Sequence, residues 1–297
     1  MLRAVVALLV IPLGLDLFMP VPEANPLTAE KVAIGRRLFR DTRLSRDGTV
    51  SCSSCHDPAR AFSVDRTIAV GVYGRVGLRN APALINRGYG KAFFWDGRST
   101  SLEEQVLTPI QDPNEMDLTL EEARARVGLR PEDLARALAS YVRSILSGNS
   151  PFDRFVNGDR SALSVDAQRG LRLFRGKAGC ISCHVGPNFT DEQFHDTGVA
   201  VSHGRISDEG RFAISGNPRD RGAFKTPTLR EVGRTAPYMH DGSVTNLADV
   251  VDYYDRGGNQ NPQLDTQLRP LRLDPDEKRA LVAFLRALSG KVSEGGR

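Results

Sequence analysis

Two short strings constrain this chain more than anything else in it: Cys52-Ser53-Ser54-Cys55-His56 and Cys180-Ile181-Ser182-Cys183-His184. Each is a C-x-x-C-H, the spacing at which two thiols add to the vinyl groups of a haem while the adjacent histidine takes an axial position on the iron. A zinc ribbon would place its two C-x-x-C knuckles roughly 15–20 residues apart, far closer than these. A thioredoxin-type pair needs a βαβ context, and no such pattern surrounds either string. The strings use all 4 cysteines of the chain, so none is left for a disulfide or a separate metal site. The expectation is two covalent haem c groups on one chain.

The rest of the composition narrows the class. A chain of 297 residues is one large domain or two ordinary ones, and 40% hydrophobic residues is enough for real cores. The formal charge of +4 is offset by the four propionates of two haems. No clustered run of Lys and Arg supports nucleic-acid binding. Met1-Leu2-Arg3 followed by the apolar run Ala4 to Leu15 resembles an export signal and is too short to span a bilayer. Asp16 interrupts the run, and Ala24 is a weak cleavage point. The alternative is a buried N-terminal segment. Covalent haem attachment outside the cytoplasm favours export of the chain to the periplasm, with residues 1–24 as the signal-like segment. Membrane association is expected only if that segment is retained.

An internal duplication organises the remainder of the chain. Gly35-Arg36-Arg37-Leu38-Phe39-Arg40 precedes the first haem string, and Gly170-Leu171-Arg172-Leu173-Phe174-Arg175 precedes the second. The expected fold is mainly α: two cytochrome-c-like lobes, each around one haem, over residues 25–150 and 151–297, with long irregular loops. The lobes divide in the polar stretch Ser147 to Ser164. Ser101-x-x-Glu104 and Thr119-x-x-Glu122 are capping boxes. The apolar stripe Leu134, Leu138, Tyr141, Val142 and Ile145 predicts a helix from Pro131 to Ser147, stopped by Gly148. Asn246 opens a further helix, and Asp274-Pro275 opens the last. Segments 58–92 and 185–240 are rich in Gly, Pro and Asn, and loops of that length in a compact domain are usually functional.

The sixth ligand of each iron separates a carrier from an enzyme. An iron saturated by two protein ligands moves electrons, and one with an open face binds peroxide or oxygen. The chain holds 5 histidines and 4 methionines. Between Asp57 and Gly179 there is no histidine, and Met116 is the sole methionine. Either Met116 ligates the first haem, making a pure electron-transfer cytochrome, or the distal face is open. The same segment offers Gln105, Pro109 and Glu115, and a glutamate over a haem can shuttle a proton between the oxygens of peroxide. Trp95, the only tryptophan, is either a core residue or a relay between haems.

Several further strings resemble the bacterial di-haem cytochrome c peroxidase family, in particular its MauG-like branch. They are Leu44-Ser45-Arg46-Asp47-Gly48, Arg79-Asn80-Ala81-Pro82, Phe94-Trp95-Asp96-Gly97-Arg98 and Ser147-Gly148-Asn149-Ser150-Pro151-Phe152-Asp153. Lys225-Thr226-Pro227-Thr228-Leu229-Arg230, Thr235 to Gly242 and Tyr253 to Gly258 complete them, in order over nearly the whole chain. The resemblance implies a peroxidatic N-terminal haem, a C-terminal electron-transfer haem and a calcium ion between them. By position, His56 and His184 match the proximal ligands. Glu115 matches the distal acid/base, Gln105 its polar neighbour and Pro109 a packing residue over the same haem. Trp95 matches the inter-haem tryptophan. Asn80 and the carbonyls of Thr235 and Pro237 match the calcium ligands.

The resemblance places Tyr254 where orthodox members carry the C-terminal methionine ligand, and Met239 in a nearby turn is the alternative. Ala69-Val70-Gly71-Val72-Tyr73-Gly74 carries no histidine where those members often have one. The N-terminal haem is therefore expected to meet hydrogen peroxide without reductive activation. The implied electron source is a small redox protein, a cytochrome c or cupredoxin. The MauG resemblance implies instead a protein side chain oxidised in place, as in maturation of a tryptophan-derived cofactor.

Overall fold

The computed structural model describes residues 19–202 and 204–295. Most of the signal-like segment 1–24, and His203, lie outside the described residues. Helices carry the fold, and none of those described is long and apolar enough to cross a membrane. The helix Ala29–Leu38 crosses Pro131–Arg143, and Val165–Arg175 crosses Pro275–Arg286. The duplicated strings mark both crossings. A Cβ on Gly35 would stand 2.0 Å from the carbonyl oxygen of Ala137, and one on Gly170 2.0 Å from that of Ala280. Both helix pairs meet backbone to backbone, and only glycine permits it.

Four residues beyond each glycine an aromatic ring closes the crossing. Phe39 lies 5.0 Å from Tyr141 and 6.1 Å from Phe62, ring centre to ring centre. Phe174 lies 5.1 Å from Phe284 and 6.0 Å from Phe189. Buried apolar side chains form two clusters, one drawn from Val32 to Ile145 and one from Phe152 to Leu288.

The capping signals hold locally. Thr119 and Glu122 close a reciprocal box, as do Asp274 and Glu277. At Ser101 the hydroxyl accepts the Glu104 amide at 3.1 Å, while the Glu104 carboxylate accepts from Thr100 N instead of Ser101 N.

The helix expected to run to Ser147 ends at Arg143. The Ser144 hydroxyl donates to Tyr141 O at 2.6 Å, competing for a carbonyl that another turn would need. Leu146–Gly148 then pairs antiparallel with Lys291–Ser293. Two more short ladders join Phe194–Asp196 to Ala223–Lys225 and Val201–Ser202 to Arg205–Ile206.

The polar stretch after residue 147 starts buried and becomes continuously exposed only over residues 156–161. Ser147, Ser150 and Asp153 are buried. Arg230 bonds Asp153 at 2.8 Å, and Ser147 Oγ donates to Glu231 at 2.5 Å. These polar residues form an internal network of hydrogen bonds and ion pairs.

Candidate functional site

The two C-x-x-C-H strings lie on one turn of helix each, Cys52–Cys55 and Cys180–Ser182. Ser51 and Ser54 cap the first reciprocally. Burial pushes the thiols of Cys52 and Cys180 up to about 12 and that of Cys55 to about 11, so they remain protonated at neutral pH. Burial likewise pulls the His56 imidazole down to about 4, keeping it neutral.

Each histidine is held by a carbonyl. His56 Nδ1 lies 3.3 Å from Phe62 O, and His184 Nδ1 lies 2.8 Å from Phe189 O. A carbonyl only accepts, so Nδ1 carries the proton and Nε2 keeps the lone pair with which an imidazole can ligate iron. Phe62 and Phe189 both sit at positive φ, 58° and 51°. Sequence reasoning missed these two residues. The signal was a Phe five or six positions beyond each motif histidine.

His56, Cys55, Cys180, Cys183 and His184 border a single cavity of about 740 Å³. Cys52 does not border it and packs against the first apolar cluster. Gln105, Pro109 and Glu115 line the same cavity, from the short helices Leu102–Gln105 and Thr108–Gln111 and the turn after them. Burial raises the Glu115 carboxyl to about 7, with the Asp112 carboxylate adding to the shift and Arg98 opposing it. The segment expected to lack a distal histidine packs on this turn, with Val72 N bonded to Glu115 O at 2.9 Å. Met116 is 2% exposed within the first core and is not part of the cavity wall.

Trp95 borders the cavity, and its indole N–H donates to Asn80 O at 2.8 Å. The Asn80 amide donates to the carbonyls of Arg66 and Thr67 at 3.1 and 3.0 Å. Thr235 and Pro237 border the same cavity. Asn80 and these two carbonyls offer oxygen donors, the chemistry a hard divalent cation takes.

At the C-terminal end both Met239 and Tyr254 reach the cavity. Tyr253 turns away, its hydroxyl donating to Thr197 O at 2.8 Å. Burial, with the Tyr253 hydroxyl and the motif sulfurs adding, pushes the Tyr254 hydroxyl well above its ordinary range. Two further histidines, His195 and His240, border the same cavity and are engaged by neighbouring side chains. Both ring nitrogens of His195 contact carboxylates, Asp265 at 2.6 Å and Asp191 at 2.9 Å, while His240 stacks on Phe224 at 3.6 Å. Cys183, Asp191 and His195 lie close enough to hold an ion, but haem attachment at Cys183 would use that sulfur.

The di-haem cytochrome c peroxidase family matches residues 29–132. The methylamine utilization protein MauG of Methylorubrum extorquens is 44% identical over 292 residues, covering 92% of this chain and 82% of that protein. The chain belongs to the di-haem cytochrome c peroxidase family. The cytochrome-c peroxidase IdrP1 of Pseudomonas sp. strain SCT is 38% identical, covering 91% of this chain and 84% of that one. A solved MauG-like protein associated with microbial copper homeostasis superposes with a TM-score of 0.85 at 32% identity, covering 91% and 92% of the two chains.

A di-haem peroxidase of this family carries two c-type haems, and the residues here fit them. Two pairs of free cysteines, two imidazoles each turned by a backbone carbonyl at Nδ1 and one shared, largely apolar cavity are what two such groups require.

Proposed function

We propose that this di-haem peroxidase reduces hydrogen peroxide at the His56 side of the cavity, with Glu115 as the proton-transfer group. Bound haem supplies the iron that takes up peroxide and holds the oxidising equivalents. Glu115 accepts a proton from the incoming peroxide at its carboxylate and returns it to the departing oxygen. Gln105 orients the peroxide by hydrogen bonding, and Pro109 shapes the wall above it. The Trp95 indole, fixed by its bond to Asn80 O, bridges the two halves of the cavity. Tyr254 completes the second site, with Met239 as the alternative. Asn80, Thr235 and Pro237 hold calcium.

One observation supports this reading above the others. Glu115 faces the cavity that His56 borders, while Met116, which a pure electron carrier would need as a ligand, is packed in the core. Glu115→Gln should keep both haems and slow the reaction with peroxide by roughly 10²–10⁴-fold, the usual worth of a positioned acid–base group. Stopped-flow absorption measures the rate, and an unchanged rate removes Glu115 from the mechanism.

The 44% identity to MauG favours a second reading of the electron source, a side chain of a docked protein in place of a small cytochrome c or cupredoxin. Turnover of peroxide with reduced cytochrome c or cupredoxin as sole donor supports the first reading. Both readings place the protein in the periplasm.

A further inference from the structure

Lys225 ends the strand Ala223–Lys225 and plays no part in the proton transfer at Glu115. Its amide donates to the carbonyl of Trp95 at 2.8 Å. Across the ladder it faces Phe194, in the segment after the second C-x-x-C-H. Lys225 therefore stands at the seam between the tryptophan and the C-terminal haem motif, and its side chain borders the cavity.

The charges around it are unequal. Lys225 is 7% exposed, Arg87 8% and Glu192 9%. The Glu192 carboxylate is already claimed by Arg87, at 2.9 and 3.3 Å, and by the Lys91 amide at 3.2 Å. Lys225 Nζ reaches it only at 3.5 Å. The nearer bond of Nζ goes to Thr226 O, at 3.1 Å. The next carboxylate, Asp191, is engaged by His195 at 2.9 Å and by the Gln193 amide at 2.9 Å. Two buried cations thus share one buried carboxylate at the edge of an apolar cavity. A buried charge is retained only when it is paired, and an ammonium has three donors to place. Burial and the Arg87 charge pull Lys225 down to about 7, so a further anion is what keeps it charged at neutral pH. The carboxylates of haem are the anions this family brings into that cavity.

We propose that Lys225 is a positioning residue that pairs with a haem carboxylate at this seam and raises the reduction potential of the C-terminal haem. A fixed positive charge favours the reduced iron, because reduction lowers the charge of the centre. Lys225 and Glu192 then act with opposite sign on the driving force for electron sharing past Trp95. The proposal rests on the two-haem reading and not on the role of Glu115.

Spectroelectrochemical titration of the holoprotein tests it. Lys225→Met with both haems retained should lower the C-terminal potential, Lys225→Arg should restore it, and Glu192→Gln should raise it. An unshifted potential in the loaded Lys225→Met protein overturns the proposal. Equal shifts in Lys225→Met and Lys225→Arg also overturn it, since they would report packing alone. Should Lys225→Met fail to take up haem, Glu192→Gln decides: an upward shift supports the proposal, and no shift or a downward one overturns it. A wild-type protein inert to peroxide would overturn the peroxide reading and leave this measurement standing.

Discussion

Glu115 owes its raised pKa first to burial, then to Asp112, with Arg98 working against both. The carboxylate is the form that accepts a proton. The peroxide reaction should therefore slow as pH falls through about 7, where an ordinary glutamate would hold until the pH neared 4–5. Arg98→Met should move that inflection upward, and Glu115→Gln should abolish it; a rate–pH profile measures both. The same shift carries a stability sign. The folded chain binds this proton more tightly than the unfolded one, so the contribution is present below the ordinary value of 4.5 and is lost as pH rises through about 7. At the other iron, Tyr254→Phe should change the low-spin EPR signal of the C-terminal haem and Met239→Leu should leave it in place. Loss of that signal in the Met239 variant alone would assign the ligand to Met239. The divergent facing of Tyr254 and Tyr253 was legible in the sequence, since neighbours on a helix point about 100° apart. The Lys225, Arg87 and Glu192 cluster was not, because its members are remote in sequence and each looks like an ordinary surface charge until folding buries it.

Between elements, the close crossings at Gly35 and Gly170 set two effects against each other. Helix propensity alone favours alanine over glycine by about 1 kcal/mol. A methyl group would meet a backbone carbonyl at 2.0 Å, which neither helix can relieve by turning a side chain. The clash should win. Gly35→Ala and Gly170→Ala should each destabilise the protein by about 1–3 kcal/mol in urea unfolding. A neutral or stabilised variant would show that the helices can part at no cost. The sequence displayed the duplicated strings but not their reason, because the partner backbone lies more than a hundred residues away. The capping box at Thr119 and the helix start at Asp274 were readable, because every participant is local. The ladder Leu146–Gly148 replaces the end of the expected helix for the opposite reason: its partner is the last of the described strands, and no local pattern announces it.

For the molecule as a whole, the last strand returns to the first half. Glu294 accepts from Arg36 at 3.0 Å, from Arg40 at 2.9 Å and from the Tyr141 hydroxyl. The exposed ion pairs are each worth about 1 kcal/mol or less. The Tyr141 bond and the ladder with residues 146–148 add to them. Deleting residues 291–297 should cost roughly 1–3 kcal/mol, seen as a lower melting temperature with haem content unchanged. An unaltered melting curve would show that the tail contributes nothing. The two haem histidines, meanwhile, lean on backbone. Where a carboxylate takes the Nδ1 proton, an imidazole gains anionic character and pushes electron density onto its metal. Here both acceptors are neutral peptide oxygens, and the contact is 3.3 Å behind His56 against 2.8 Å behind His184. With haem held by these two histidines, the push they would lend its iron would be weak at both and weakest at His56, so breaking a peroxide bond there would depend on the pull exerted from across the cavity.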